Sequence, residues 1–113
     1  MFVTCDGRKA VDEDIIIAET INSPNKEHIA TVYYVSGGGA AGYVYAHVGI
    51  RNKGESFTVN NGTVLQGVRI ENLSVKWEDS KKLIIFYSKA GTIFTKKTEW
   101  ADKSKVLIEY IEP

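Results

Sequence analysis

The sequence predicts an all-β domain, an antiparallel β-sandwich of seven to eight short strands. Three observations carry that expectation. β-Branched and aromatic residues gather in short runs, as in Ile29-Ala30-Thr31-Val32-Tyr33-Tyr34-Val35 and Val106-Leu107-Ile108-Glu109-Tyr110-Ile111. Turn formers separate these runs at roughly the 8–12-residue spacing of a sandwich. Apolar residues recur at every second position rather than at helical spacing, with Val44, Ala46, Val48 and Ile50 sharing one strand face.

In chain order, Ile15-Ile16-Ile17 opens the first strand, and Asn22-Ser23-Pro24-Asn25 turns it. Proline fixes its own φ and pushes Ser23 toward an extended conformation, while the asparagines bond their local backbone. Strands at 29–35 and 43–50 flank a glycine-rich connection. Asn52-Lys53-Gly54-Glu55 turns next, followed by the short run Phe57-Thr58-Val59 and the hairpin signal Asn61-Gly62, where both residues tolerate positive φ. Leu73, Val75 and Trp77 then line one face, Leu83, Ile85 and Tyr87 the returning one, and Ile93-Phe94-Thr95, Trp100 and 106–111 complete the set. Only 11–21, which begins at the acidic group Asp12-Glu13-Asp14, has room for a short helical turn near the N-terminus. A single domain over 1–113 is expected, with 1–14 loosely ordered.

Composition bounds the chemistry. Fourteen Lys and Arg balance fourteen Asp and Glu, so the chain lacks the positive field that nucleic-acid binding needs. The longest apolar runs, such as Leu83–Tyr87, fall far short of the roughly 20 residues of a membrane-spanning helix. Charge is spread unevenly, with three basic and six acidic residues in 1–35 against eight and six in 72–113. Cys5 is the single cysteine, which rules out an internal disulfide and a cysteine-rich zinc site. No apolar segment precedes it, and Phe2-Val3-Thr4 makes a poor small-residue cleavage site, so it reads as a free thiol rather than a lipidated one.

Gly37, Gly39 and Gly42 satisfy G-x-G-x-x-G after a predicted strand. A dinucleotide site requires a helix next, whose N-terminal amides hold the pyrophosphate. Tyr43-Val44-Tyr45 is strand chemistry instead, so Gly37, Gly38 and Gly39 are read as a loop that offers backbone amides to a partner. His28 and His47 are the two imidazoles. No H-E-x-x-H or G-x-S-x-G accompanies them, so no catalytic residue, metal or cofactor is assigned. His47 falls on the face opposite Val44, Ala46 and Val48. Together with Tyr43, Tyr45 and Arg51 it forms a polar aromatic patch suited to recognition.

Three segments together resemble a family of small uncharacterised bacterial β-rich proteins, many made as lipoproteins or membrane-tethered domains. Ser23-Pro24-Asn25-Lys26-Glu27-His28-Ile29-Ala30 is similar to its Ser-Pro-Asp-Gly-Lys opening. Gly38-Gly39-Ala40-Ala41-Gly42-Tyr43 is similar to its Gly-Ala-Thr-Thr-Gly-aromatic connection, and Val75–Ile85 to its hairpin with Trp, an acidic turn and Leu-x-Ile. Lys26 stands for the turn glycine, Ala40 and Ala41 for two threonines, and Gly37 where members often carry cysteine. Roles of those hydroxyls and that thiol do not carry over. The resemblance, over roughly 22–110, implies a β-sandwich in an extracytoplasmic setting, periplasm or envelope, and brings no established activity.

The reading that follows is a non-enzymatic binding module of the bacterial cell envelope. It recognises a protein or envelope component through the glycine-rich loop and a sheet edge, as a monomer or weak homodimer. The alternatives are a small inhibitor or immunity protein that neutralises a toxin through Asp12, Glu13 and Asp14, cytoplasmic where the toxin is intracellular, and a hydrolase built on His28 or His47.

Overall fold

The computed structural model describes residues 14–36, 44–102 and 104–112, and within them every regular element is a strand. In chain order these are β1 (Asp14–Asn22), β2 (His28–Ser36), β3 (Val44–Asn52), β4 (Thr63–Val68), β5 (Ser74–Asp79), β6 (Lys82–Phe86), β7 (Thr92–Lys96), β8 (Glu99–Ala101) and β9 (Lys105–Ile111). They form two sheets, ordered β1-β2-β3-β4-β7 and β5-β6-β9-β8. The sheets share one core, in which Val32, Val48, Ile50 and Leu65 of the first meet Val75, Leu83, Ile85 and Val106 of the second. This is the sandwich that alternation predicts, because a sheet buries its apolar face only against another layer.

Four particulars differ from the sequence reading. Nine strands replace seven to eight. The extra count arises where Trp100 sits in its own short strand, β8, apart from β7. Phe57-Thr58-Val59 belongs to the long connection between β3 and β4, while 63–68, which the sequence reading passed over, is a central strand with Val64 and Leu65 fully buried. Asn61-Gly62 therefore introduces β4 rather than closing a strand at 57–59. From Asp14 onward the chain is extended, so no helical turn exists there. Three consecutive isoleucines, each stiff at χ1, favour the pleated conformation. Val11–Glu13 lie outside the described residues.

The fourth difference is a parallel ladder, the one among the described residues, between β6 and β9. After β6 the chain crosses to the first sheet as β7 and returns as β8. The β8–β9 hairpin then reverses it once more, so β9 lies alongside β6 pointing the same way. Central parallel strands are buried on both faces. β6 conforms, with Leu83 and Ile85 toward the core and Ile84 on the opposite face all buried.

Side chains tie the sheets at their ends. Trp77 Nε1 donates to the Ile21 carbonyl at 3.0 Å, and the Asn25 amide donates to Ser80 Oγ at 2.9 Å. At the other end the Tyr110 hydroxyl reaches the carbonyls of Lys97 at 2.7 Å and Val64 at 3.3 Å. In the β1–β2 turn Lys26 adopts φ +63°, the left-handed conformation that glycine takes most readily.

Candidate functional site

Registers across the first sheet set out its outer face row by row. One row runs Ile15, Val35, Tyr45, Val68 and Thr92, and the next runs Ile17, Tyr33, His47, Gln66 and Thr95. Toward the β1–β2 turn follow Thr20, Thr31 and Gly49, then Asn22, Ile29 and Arg51. Tyr45, His47 and Arg51 thus share a face, as alternation requires. Gly37, Gly38, Gly39 and Tyr43 lie outside the described residues.

This face is clasped by residues 53–62. Phe57 sets its edge against the Tyr33 ring at a centroid distance of 4.9 Å, and Tyr33 stacks on His47 at 4.7 Å and 13°. The Asn60 amide donates to the Tyr33 hydroxyl at 3.0 Å. Arg51 donates to Thr31 Oγ1 at 2.7 Å and to the Glu55 carbonyl at 3.1 Å, with its guanidinium 5.8 Å from the Phe57 ring centre. Its five donors make it a strut for the clasp. The space enclosed by Thr31, Tyr33, Arg51 and Phe57 is about 10 Å³, no more than one water occupies.

His47 is therefore buried at 2% exposure, and desolvation holds its imidazole below the usual histidine range. It is a neutral ring in a packed aromatic stack. Tyr45 is half-buried and leans on Phe94 at 6.1 Å. The sequence grouped these side chains correctly on one face but carried no sign that Phe57, a loop residue, would fold over them.

Beyond the clasp the face turns apolar and open. Ile15 and Ile17, on this face of the edge strand β1, are 41% and 50% exposed, and Ile16, on its opposite face, is 64% exposed. Val44 and Phe94 are exposed near the same end of the sheet. Asp14 pairs with Ser36 and Ser36 with Val44, so the connection 37–43 leaves and re-enters the sheet beside these isoleucines. Most β1 side chains here are exposed, and among the described residues no strand lies along its outer backbone edge. Such an edge is a template for a further strand.

His28 lies elsewhere, at the junction of the two sheets. Its ring stacks on Trp77 at 6.4 Å and meets the Trp100 ring edge-on at 5.3 Å, and its Nε2 is 2.8 Å from Ser104 Oγ. The pair borders a cleft of about 380 Å³ lined also by Glu27, Asn52, Lys53, Ser80 and Lys81, with no hydrogen bond from the ring to the Glu27 carboxylate. Nδ1 of His28 has no hydrogen-bond partner among the described residues. The ring is thus oriented by two indoles and not by a carboxylate, unlike the orienting group of a nucleophile–base pair. Residues 28, 77, 100 and 104 are too scattered for their meeting to be read from the sequence.

No group of three or more His, Cys, Asp or Glu among the described residues is placed to hold a metal ion. Among the described residues no helix is long and apolar enough to cross a membrane. Comparison of the chain with protein-family models, with curated proteins and with solved structures gives no match, so the geometry above has to carry the functional reading alone.

Proposed function

We propose that the chain is a non-enzymatic binding module that recognises a protein or envelope component at the β1 edge of its first sheet, with the adjoining 37–43 connection completing the contact. The observation that carries this reading is the run Ile15-Ile16-Ile17, exposed on a strand that has no neighbour along its outer edge among the described residues. An edge strand of a solitary domain is ordinarily blunted by charge, proline or cover. Here the run Ile15-Ile16-Ile17 carries neither charge nor proline, and Glu19 and the bulge before it come only after the run. An extended partner segment adds main-chain hydrogen bonds to this edge, and the isoleucines on either side supply apolar contact. An extracytoplasmic setting belongs to the same proposal.

The test is capture from a bacterial envelope extract by the wild-type chain, by Ile16→Lys and by Gly39→Val. Ile16 projects into solvent, so the lysine leaves the fold intact while placing a charge in the partner strand's path. Loss of the same partners with both variants is expected, with little sensitivity to salt. Equal recovery with Ile16→Lys removes the edge from the proposal. Binding that collapses with ionic strength favours the acidic segment Asp12-Glu13-Asp14 and the inhibitor reading instead.

A further inference from the structure

A groove lies at the edge of the first sheet opposite β1. At Lys97-Thr98 the chain leaves β7 and passes to the other sheet as β8, so the β4–β7 ladder stops near the Lys97 amide, which donates to the Val64 carbonyl at 2.8 Å. The start of β4 pairs with β3 through Thr63 and Gly49 but has no strand on its other side among the described residues. The corner opens into a groove of about 520 Å³, within the range of roughly 300–1,000 Å³ for small-ligand sites.

The groove is lined by a consistent chemistry. Asn60 and Gln66 contribute side-chain amides, Thr95 a hydroxyl, and the half-buried Trp100 an indole. Gln66 and Thr95 are cross-strand partners, so their polar ends stand side by side. Lys97 and Glu99 bring one charge of each sign, and Glu99 already faces Lys105 at 3.4 Å. With Glu99 neutralised by Lys105, the exposed Lys97 is the single uncompensated charge among the described residues of the lining, too little to select a strongly charged ligand. Thr63 Oγ1 lies just beneath the groove with no hydrogen-bond partner among the described residues, so turning it toward a ligand sacrifices no bond.

From this lining we infer that the groove binds a neutral saccharide. Amides and hydroxyls both donate and accept, which matches sugar hydroxyls that do the same. The indole gives the C–H face of a pyranose an apolar surface to lie on. A peptide strand would need a continuous open ladder, and the open stretch here is only the start of β4. This site is independent of the β1 edge, and either reading stands if the other fails.

The experiment is a titration of the isotope-labelled chain with maltotriose, cellotriose and chitotriose, followed by amide and indole N–H resonances. At least one trisaccharide is expected to shift Trp100 Nε1–H together with the Thr63 and Gln66 amides, saturating in the millimolar range. Gln66→Ala and Thr95→Val are each expected to weaken that binding by about three- to tenfold, the loss of one hydrogen bond. Trp100→Ala should abolish it, but Trp100 also packs on His28 and the core, so the two outward-facing substitutions decide. The inference is overturned if no trisaccharide shifts these resonances at about 20 mM, a concentration that would expose any dissociation constant in the millimolar range. It is equally overturned if both outward variants bind as the wild type does, or if the shifts fall on β1.

Discussion

Replacing three glycines by alanine separates two costs that usually arrive together. Gly54 sits at φ +89° with nothing within 4 Å of the position a Cβ would take. Alanine there suffers only the left-handed backbone, about 1 kcal/mol. Gly67 has an ordinary φ, but its Cβ would come 2.5 Å from the Thr92 carbonyl and 3.1 Å from Ile93 Cα, both backbone atoms of the paired strand. Forcing the ladder apart there should cost about 2–3 kcal/mol, as overpacking does elsewhere. Gly62 combines both, with φ +69° and a Cβ driven into the Ile50 carbonyl, whose carbon would lie 3.1 Å away. The bond from the Ile50 amide to the Gly62 carbonyl, 2.9 Å long, has to break as well. Adding about 1 kcal/mol for that bond to the backbone and overlap terms gives roughly 4–5 kcal/mol. Urea unfolding followed by tryptophan fluorescence measures all three, with the slope against denaturant expected to stay constant. A Gly62→Ala variant no less stable than Gly54→Ala would refute the placement of residues 53–62 over the sheet.

Three further predictions concern titration and packing. His47 has its folded-state pKa depressed by burial, so between that value and the unfolded value near 6.5 the unfolded chain binds more protons; stability should be fully present above pH 6.5 and fall as pH drops through it, and urea midpoints for His47→Phe should be flatter over that window. Tyr34, Tyr87 and Tyr110 all have their phenols raised, first by burial, so a spectrophotometric titration should show only part of the six tyrosines ionising near pH 10. The remainder should ionise later, and stability should fall as pH rises past 10, because the unfolded chain gives up those protons first. Trp77→Phe removes the indole bond to the Ile21 carbonyl and part of the His28 stack, which should cost about 1–3 kcal/mol by thermal or urea unfolding while preserving β-type circular dichroism.

What the sequence revealed follows from the range over which each interaction acts. Alternation is local, so Ala46, Val48 and Ile50, and likewise Leu73, Val75 and Trp77, could be assigned to the core from their own spacing, and they are buried. Val44 obeys the same alternation yet is 47% exposed, because it lies at the strand's first residue, where the second layer no longer covers it. The strand 63–68 was obscured by Gln66 and Gly67, which interrupt an apolar pattern that Val64, Leu65 and Val68 otherwise supply. Gly67 is small because Thr92 and Ile93 press against it, a demand set by a strand some 25 residues away. The sheet change at Lys97-Thr98, the parallel pairing of β6 with β9 and the meeting of His28 with Ser104 all depend on long-range closure, to which neither period nor turn residues respond. The candidate site divides the same way. The shared face of Tyr45, His47 and Arg51 was legible, whereas the clasp that hides His47 was not.

The insertion of β9 between β6 and β8 gives the two layers different histories during synthesis. In the first sheet, β1, β2 and β3 each pair with the next strand in sequence, so these hairpins can close as the chain emerges. The second sheet cannot acquire its middle until residues 105–111 exist, some 20 residues after β6 has been made. Until then Leu83 and Ile85 have no lateral neighbour on that side. Non-local closure of this kind is slow, and apolar surface stays open while it is awaited. A nascent chain halted before β9 is consequently the form most in need of a chaperone.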